Sequence, residues 1–227
     1  MSNAALLSKI TNRLSAGDKF PRIFLKNTED KTVCIPEEVN TKYCVLLFFR
    51  GVWWPVCTLQ LEGYRKYSVL FGKLDVSIIA ASVDSLEDTK RLWKGKCFPY
   101  SGKELGFTLC YGVSKEISDS LGAYYGGDLN HKRRPNHRDY MQPAEFVIDV
   151  NSEEIIICSY SDGAFGRMNA GDVIGYLSQI ENRLEEFPFG WLYWSTFTYL
   201  GLKAKLASTN SFDRWYAIIF DFKQRLR

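Results

Sequence analysis

Two short and mainly apolar runs, Tyr43–Phe49 and Val76–Val83, are the strongest hydrophobic signals in the first half of the chain. Such runs are typical of strands that are covered on both faces of a sheet. Between them, Thr58–Gly72 spaces its apolar residues at helical intervals, with Leu61 and Tyr64 on the predicted buried face. The pattern therefore predicts a strand, a helix and a second strand in succession.

Further strands are predicted by shorter apolar or alternating stretches. They lie at Thr32–Ile35, Phe107–Cys110, Glu145–Asp149 and Glu154–Tyr160, the last two joined as a hairpin. Further helices are predicted by apolar spacing and by the N-cap candidates Ser85 and Ser114. They cover Leu6 to Leu14, Leu86–Trp93, Lys115–Leu121 and Ala170–Leu184, the last with Val173, Ile174, Leu177 and Ile180 facing inward. This order predicts an α/β protein with a central mixed sheet and helices on both faces.

The last part of the chain differs in character from the rest. Residues 187–202 carry no charge and several aromatic side chains, but the stretch is shorter than the roughly 20 residues that span a bilayer as a helix. We predict an N-terminal extension at residues 1–15, a main domain at 16–184 and an aromatic helical extension at 185–227. The extension is interpreted as helices packed on the domain, as a homodimer interface or as a membrane-surface helix.

Composition excludes several classes of function. The chain has 227 residues, is 46% hydrophobic and 24% charged, and has a net charge of +3, which gives no indication of a nucleic-acid partner. It has 6 cysteines and 2 histidines, and no two cysteines have C-x-x-C spacing, so neither a zinc site nor another bound metal or cofactor is expected. Several cysteines lie in apolar runs, which favours a reducing, cytoplasmic location.

Cys57 is the strongest candidate for chemistry. It follows the predicted strand Tyr43–Phe49 and lies where the next helix begins. The first turn of a helix offers unpaired N–H groups and the positive end of the helix dipole. These groups stabilise a thiolate, which is the reactive form of cysteine. The sequence therefore predicts a redox-active cysteine at this position.

Four motifs in the same order and at the same spacing resemble those of a known family. They are Gly17-Asp18-Lys19-Phe20-Pro21, the run Val45 to Cys57, Gln142 to Asp149, and Arg167-Met168. The sequence resembles the thioredoxin-like superfamily and, within it, the AhpC/TSA (peroxiredoxin-like) family, in the subgroup with an R-G-x-W-C-P-x-C signature. The resemblance implies a thioredoxin-like fold for about residues 16–180 and places Cys57 at the position of the peroxide-reactive cysteine.

The chain departs from the family's motifs at several positions. Trp54 stands where the subgroup has the first cysteine and where peroxiredoxins have a threonine, so dithiol exchange within the motif is excluded. The motif's proline falls on Arg50, and the arginine that precedes the T-F-x-I-D strand falls on Pro143. Pro143 instead resembles the cis-proline of thioredoxins, which exposes backbone to a substrate. Arg50 and Arg167 are the candidates for supplying the missing positive charge at Cys57.

Two functions follow from this sequence. In the first, Cys57 reduces a peroxide, or acts on another thiol or disulfide substrate, and an external thiol such as glutathione or a thioredoxin restores it; Cys97 is a candidate resolving thiol. In the second, the chain is a catalytically degenerate module that binds a partner through the groove of Trp54 and Pro143 and through its aromatic tail. The basic stretch 131–138 is interpreted as a solvated loop.

Overall fold

The structure is a computed structural model of the chain, and it describes residues 13–97, 102–126, 139–161, 163 and 166–183. The chain divides into two units, Met1–Ile180 and Glu181–Arg227, and the fold described below is that of the first. Most of the predicted N-terminal helix, the basic stretch 131–138 and the aromatic extension lie outside the described residues. The predicted domain boundaries therefore remain predictions. Within the described ranges, no helix is both long and apolar enough to cross a bilayer.

Strands and helices alternate along the described part of the chain. The strands are β1 (Ile23–Asn27), β2 (Thr32–Ile35), β3 (Tyr43–Phe48), β4 (Val76–Ala81), β5 (Thr108–Tyr111), β6 (Tyr125–Gly126), β7 (Tyr140–Met141), β8 (Ala144–Asp149) and β9 (Glu154–Tyr160). The helices are α1 (Pro55–Lys66), α2 (Ser68–Lys73), α3 (Leu86–Trp93), α4 (Lys115–Ser120) and α5 (Ala170–Ile180). Every strand predicted from the sequence is confirmed to within three residues at either end.

The main sheet is mixed, as predicted. Its seven strands lie in the order β2-β1-β5-β4-β3-β8-β9, while β6 and β7 form a separate antiparallel pair. The β3–β4 and β4–β5 pairs are parallel, and the other pairs of the main sheet are antiparallel. Parallel neighbours need a crossover, which α1 and α2 provide between β3 and β4.

The core lies against the centre of the sheet. All six residues of β3 are buried, so both faces of the sheet are covered at this strand. On β8, the Phe146 ring packs edge-on against Phe20, Phe48 and Tyr160, with centroid distances of 5.3, 6.4 and 5.6 Å. This packing fixes the strands that lead into and face the site around Cys57.

The helix termini reflect local capping chemistry. The predicted N-caps are confirmed, because the Ser85 and Ser114 hydroxyls accept hydrogen bonds from the N–H groups of Asp88 (3.2 Å) and Ile117 (3.4 Å). The helix predicted at Thr58–Gly72 begins three residues earlier, at Pro55, because proline is preorganised for the first helical position. It is also interrupted at Tyr67, where α1 ends and α2 begins.

Two predictions about the ends of the domain are wrong. Residues 13–15 are not helical, although the helix was predicted to reach Leu14. The last helix ends at Ile180 rather than Leu184, because Asn182 adopts the left-handed conformation (φ 55°) that stops a helix. Ile180, predicted to face inward, is 42% exposed because it is the final residue of α5, whereas Val173, Ile174 and Leu177 are buried as predicted.

Candidate active site around Cys57

Cys57 lies in the first turn of α1, immediately after the central strand. The Phe49 N–H extends the pairing of β3 by donating to the Ala81 carbonyl (3.0 Å), and the chain then turns sharply through residues 50–54. Pro55 begins α1, so Cys57 is its third residue, and its own N–H donates to the Trp54 carbonyl (2.9 Å). The structure therefore places the thiol where the helix leaves backbone N–H groups without helical partners.

Asp84 fixes the turn that precedes the helix. This buried side chain lies just after β4, and its Oδ2 accepts from the Val52 N–H (2.8 Å) and from the Ser82 hydroxyl (2.8 Å). Gly51 in the same turn has φ +150°, and a Cβ there would lie 2.5 Å from Nε1 of Trp53. The turn around the thiol is consequently held by the neighbouring parallel strand and needs a glycine.

Opposing influences act on the Cys57 thiol, which is fully buried. Burial raises its pKa, because a thiolate loses its hydration in the protein interior. The positive charge of Arg167 and the backbone N–H groups of Arg50 and Gly51 lower the pKa by stabilising the thiolate. Burial is the largest of these effects, so the pKa lies above the ordinary value of a cysteine.

Arg167 supplies the positive charge next to the sulfur. All three nitrogens of its guanidinium are buried, and none makes a hydrogen bond of normal geometry to a described residue. Its interaction with Cys57 is therefore mainly electrostatic. A buried guanidinium with free N–H groups beside a thiol is suited to binding an oxygen atom that becomes negatively charged.

Arg50, the other predicted cation, contributes to the site in a different way. Its guanidinium donates through Nε (3.1 Å) and Nη2 (2.8 Å) to Oε1 of Gln142. It also lies over the rings of Tyr140 (4.8 Å) and Trp54 (5.4 Å). The backbone N–H of Arg50 stabilises the thiolate, while its side chain fastens the turn to the segment that precedes β8.

Trp54 is the N-cap residue of α1 and forms part of an aromatic cover. Its ring packs edge-on against Trp53 (5.7 Å), which packs in turn against Tyr140 (5.9 Å). The Nε1 of Trp54 is buried and has no hydrogen-bond partner among the described residues. Trp53 is 44% exposed and forms the solvent side of this cover.

The prediction of a cis peptide bond before Pro143 is wrong. Among the described residues, a cis peptide bond is found only between Ile35 and Pro36. Pro143 is buried and lies in the two-residue connection between β7 and β8. The preceding Gln142 N–H donates to the Tyr124 carbonyl, and the Pro143 carbonyl accepts from the Ser161 N–H, each at 2.8 Å. These backbone groups are satisfied within the chain.

The other predicted thiol, Cys97, lies beyond α3 at the end of a described segment. It is partly exposed, and burial raises its pKa, while Arg91 lowers it and Asp88 and Asp84 raise it. All six cysteines are free thiols, so Cys57 and Cys97 are not joined. No group of three or more histidine, cysteine or acidic side chains within the described ranges is placed to hold a metal ion.

Sequence reasoning missed a buried polar group close to the site. Glu145, on β8, accepts from Nε2 of Gln60 through Oε1 and from the Met168 N–H through Oε2, each at 2.5 Å. Burial raises the pKa of Glu145 to about 7, although Gln60, Met168 and Arg167 lower it. A glutamate inside the otherwise apolar strand Ala144–Ile148 was the available signal, because buried carboxylates are rare without partners.

The role of Arg167 is testable without a substrate. We expect Arg167→Met to raise the pKa of Cys57 by about one unit and to slow its alkylation near neutral pH by about tenfold, because the nearest cation is lost. The measurement is the rate of iodoacetamide labelling at Cys57 against pH, resolved by peptide mass spectrometry. Arg22→Met makes the same change in net charge at a side chain that is 63% exposed, and should leave the profile unchanged.

Comparisons with known proteins agree with this architecture. The AhpC/TSA family model matches residues 16–154. Peroxiredoxin-6 of Bos taurus is 27% identical over 126 residues, which cover 54% of this chain and 55% of the bovine protein. The 1-Cys peroxiredoxin PER1 of Hordeum vulgare is 31% identical over 81 residues, 36% of this chain and 37% of the barley protein. The chain thus spans little more than half the length of the bovine relative and little more than a third of the barley relative.

A solved structure shows the same fold. Peroxiredoxin 6 of Arenicola marina superposes with a TM-score of 0.62 at 18% identity, covering 74% of each chain. The predicted thioredoxin-like fold is thereby confirmed, with its mixed sheet and flanking helices. Since the family model matches more than half of the chain and the motifs around Cys57 lie within it, the protein belongs to the AhpC/TSA family.

Proposed function

We propose that the protein is a peroxiredoxin-like thiol peroxidase that works through a single cysteine, Cys57. The observation that carries this proposal is that a helix start, two backbone N–H groups and a guanidinium surround one sulfur atom. The sulfur lies in the first turn of α1, faces the N–H groups of Arg50 and Gly51, and has the Arg167 guanidinium beside it. These are the groups that a thiolate nucleophile and a departing oxygen anion need.

The proposed reaction has two stages. The Cys57 thiolate attacks one oxygen of a peroxide, the O–O bond breaks, and the second oxygen leaves as an alkoxide or hydroxide that takes up a proton. Cys57 is then a sulfenic acid. One external thiol condenses with it, releasing water and forming a mixed disulfide, and a second thiol releases the Cys57 thiol together with an oxidised disulfide. Glutathione or a thioredoxin would be a suitable reductant.

The surroundings of the site support a one-cysteine cycle. Trp54 replaces the neighbouring cysteine of the subgroup signature, and Cys57 has no disulfide partner. The barley relative is itself named a 1-Cys peroxiredoxin. Cys97 stays a candidate resolving thiol, and we also propose that the aromatic extension mediates self-association.

Burial of the sulfur favours a second candidate function, a non-catalytic binding module. Cys57 is fully buried and its pKa is raised, whereas Trp53 is exposed at the surface of the same turn. A groove at Trp54 and Pro143 was predicted to bind an extended peptide. However, the Pro143 carbonyl and the Gln142 N–H are already paired within the chain, which leaves this groove fewer backbone groups for a peptide.

Direct oxidation of the thiol distinguishes the two functions. The reduced protein is treated with one equivalent of hydrogen peroxide in the presence of dimedone, which traps sulfenic acid, and each cysteine is quantified by peptide mass spectrometry. We expect Cys57 to be trapped first, because its thiolate is stabilised by the Arg167 guanidinium together with two backbone N–H groups. The partly exposed Cys97 and Cys158 are internal controls.

Two outcomes would support the binding module instead. Trapping of Cys97 or Cys158 ahead of Cys57 would show that exposure alone decides reactivity in this chain. Labelling of Cys57 only after unfolding in urea would show that the folded protein keeps its sulfur inert. Either result would contradict the peroxidase proposal.

A further inference from the structure

Glu145 is a buried carboxyl group that the proposed reaction does not use. It lies on β8, opposite Leu47 of β3 and Ser159 of β9, and is only 1% exposed. A carboxylate in the middle of a sheet is costly to bury unless it is fully hydrogen-bonded. Its place next to the active-site helix suggests that this cost is balanced by a functional role.

The side chain joins two separate parts of the chain. Its Oε1 accepts from Nε2 of Gln60 on α1, and its Oε2 accepts from the backbone N–H of Met168, each at 2.5 Å. Nε2 of Gln60 also donates to the Met168 carbonyl (3.2 Å). The helix that carries Cys57 is therefore tied to the segment before α5 by a closed set of three hydrogen bonds.

This set of bonds holds the backbone next to Arg167. Arg167 directly precedes Met168, whose backbone N–H and carbonyl are both held. None of the guanidinium nitrogens of Arg167 has a hydrogen-bond partner of its own among the described residues. The guanidinium interacts electrostatically with the sulfur and with the Glu145 carboxylate, while the Met168 hydrogen bonds hold the backbone to which its side chain is attached.

We propose that Glu145 is a positioning residue, which ties the Arg167–Met168 backbone to α1 and thereby holds the Arg167 guanidinium against the Cys57 thiolate. The inference rests on the proposed function only in taking Cys57 as the reactive group. It assigns Glu145 an action through Arg167, since Arg167 is the charged side chain that acts on the thiol.

The charges around Glu145 make this set of three hydrogen bonds dependent on pH. The groups that face it are Arg167 from the segment before α5 and Tyr64 from α1, and Asp172 at the start of α5 acts on Tyr64 as well. The ionised carboxylate accepts from both Gln60 and Met168, whereas the protonated form gives up one acceptor. Burial raises the pKa of Glu145 to about 7. The hydrogen bonds that Glu145 accepts therefore strengthen as the pH rises through neutrality and the carboxyl group ionises.

Glu145→Gln tests the proposal, since it preserves the shape of the side chain but removes the charge and one acceptor. We expect iodoacetamide labelling of Cys57 near neutral pH to slow by about tenfold, as its pKa rises by about one unit when Arg167 is released. Loss of a nearby negative charge alone would have the opposite effect and lower that pKa. The sign of the change therefore separates positioning from direct electrostatics.

A double-mutant cycle shows whether the effect passes through Arg167. In the Arg167→Met background, Glu145→Gln should change the labelling rate by less than about twofold, because there is no guanidinium left to position. Glu154→Gln, at a glutamate that is 51% exposed on β9, is the matched control and should leave the rate unchanged. Independent, multiplicative effects of the two substitutions would overturn the proposal.

The remaining outcomes are also decisive. Unchanged or faster labelling in Glu145→Gln would overturn the inference. If that variant is unfolded by circular dichroism, Gln60→Met removes one donor to Glu145 while keeping its charge, and should slow labelling in the same direction by a smaller factor. Labelling by an alkylating reagent needs no peroxide, so a protein without peroxidase activity would contradict the proposed function while leaving this test intact.

Discussion

Cys57→Ser is expected to reduce the consumption of hydrogen peroxide, with an external thiol supplied, by about 10³-fold or more, to the uncatalysed background. A serine hydroxyl is almost isosteric with the thiol but stays protonated at neutral pH. The backbone N–H groups of Arg50 and Gly51 and the Arg167 guanidinium favour the thiolate of Cys57, but they cannot ionise a hydroxyl, which is a far weaker acid than a thiol. The measurement is the steady-state rate of peroxide loss at saturating thiol.

Cys97→Ser is the matched control for this result. It makes the same chemical change at a partly exposed cysteine, and in a one-cysteine cycle it should retain the wild-type rate. A comparable loss of rate in Cys97→Ser would identify Cys97 as a resolving thiol and contradict the one-cysteine cycle. Equal background rates in the wild type and in Cys57→Ser would remove the peroxidase proposal altogether.

Phe146→Ala should have the largest effect on stability, lowering the free energy of unfolding by roughly 3–5 kcal/mol. Phe146 is fully buried, and its ring contacts Phe20, Phe48 and Tyr160 edge-on. Removing the ring leaves a cavity lined by strands that pair on both sides of β8, which limits how far the core can collapse into it. Urea denaturation followed by circular dichroism measures the change.

Phe24→Ala removes the same ring from a site that is 57% exposed on β1. Its cost should be no more than about 1 kcal/mol, since the lost interaction is mainly the contact with the Arg22 guanidinium, 6.0 Å from the ring centroid. If Phe146→Ala and Phe24→Ala unfold at similar urea concentrations, the aromatic cluster around Phe146 is not the centre of the core.

The positions of the main strands along the chain were accessible from sequence because their signals are local. The runs that became β3 and β4 are apolar throughout, and a strand buried on both faces requires this whatever else surrounds it. Ser85 capped α3 as predicted, since an N-cap hydrogen bond needs only the three residues that follow it. Ile180 was misplaced because apolar spacing does not show where a helix ends.

The candidate site was only partly accessible, for a physical reason that Arg50 and Arg167 illustrate. Both were predicted as partners of the thiolate, and nothing in the local sequence distinguishes one from the other. The Arg50 guanidinium is hydrogen-bonded to Gln142 and lies over the Tyr140 ring, whereas the buried Arg167 guanidinium lies beside the sulfur. That choice depends on contacts between residues some ninety positions apart, as the hydrogen bond from Arg50 to Gln142 shows.

The sequence by itself determined the fold family, the position of Cys57 at a helix start and the presence of Trp54 three positions before it, because each of these depends on residues that are close together in the chain. Tertiary structure alone decided that the sulfur is buried, that the peptide before Pro143 is not cis, and that Glu145 links the Met168 backbone to the helix of Cys57. Burial and charge at a site are sums over residues that only folding brings together, so the reactivity of a thiol is a property of the assembled domain.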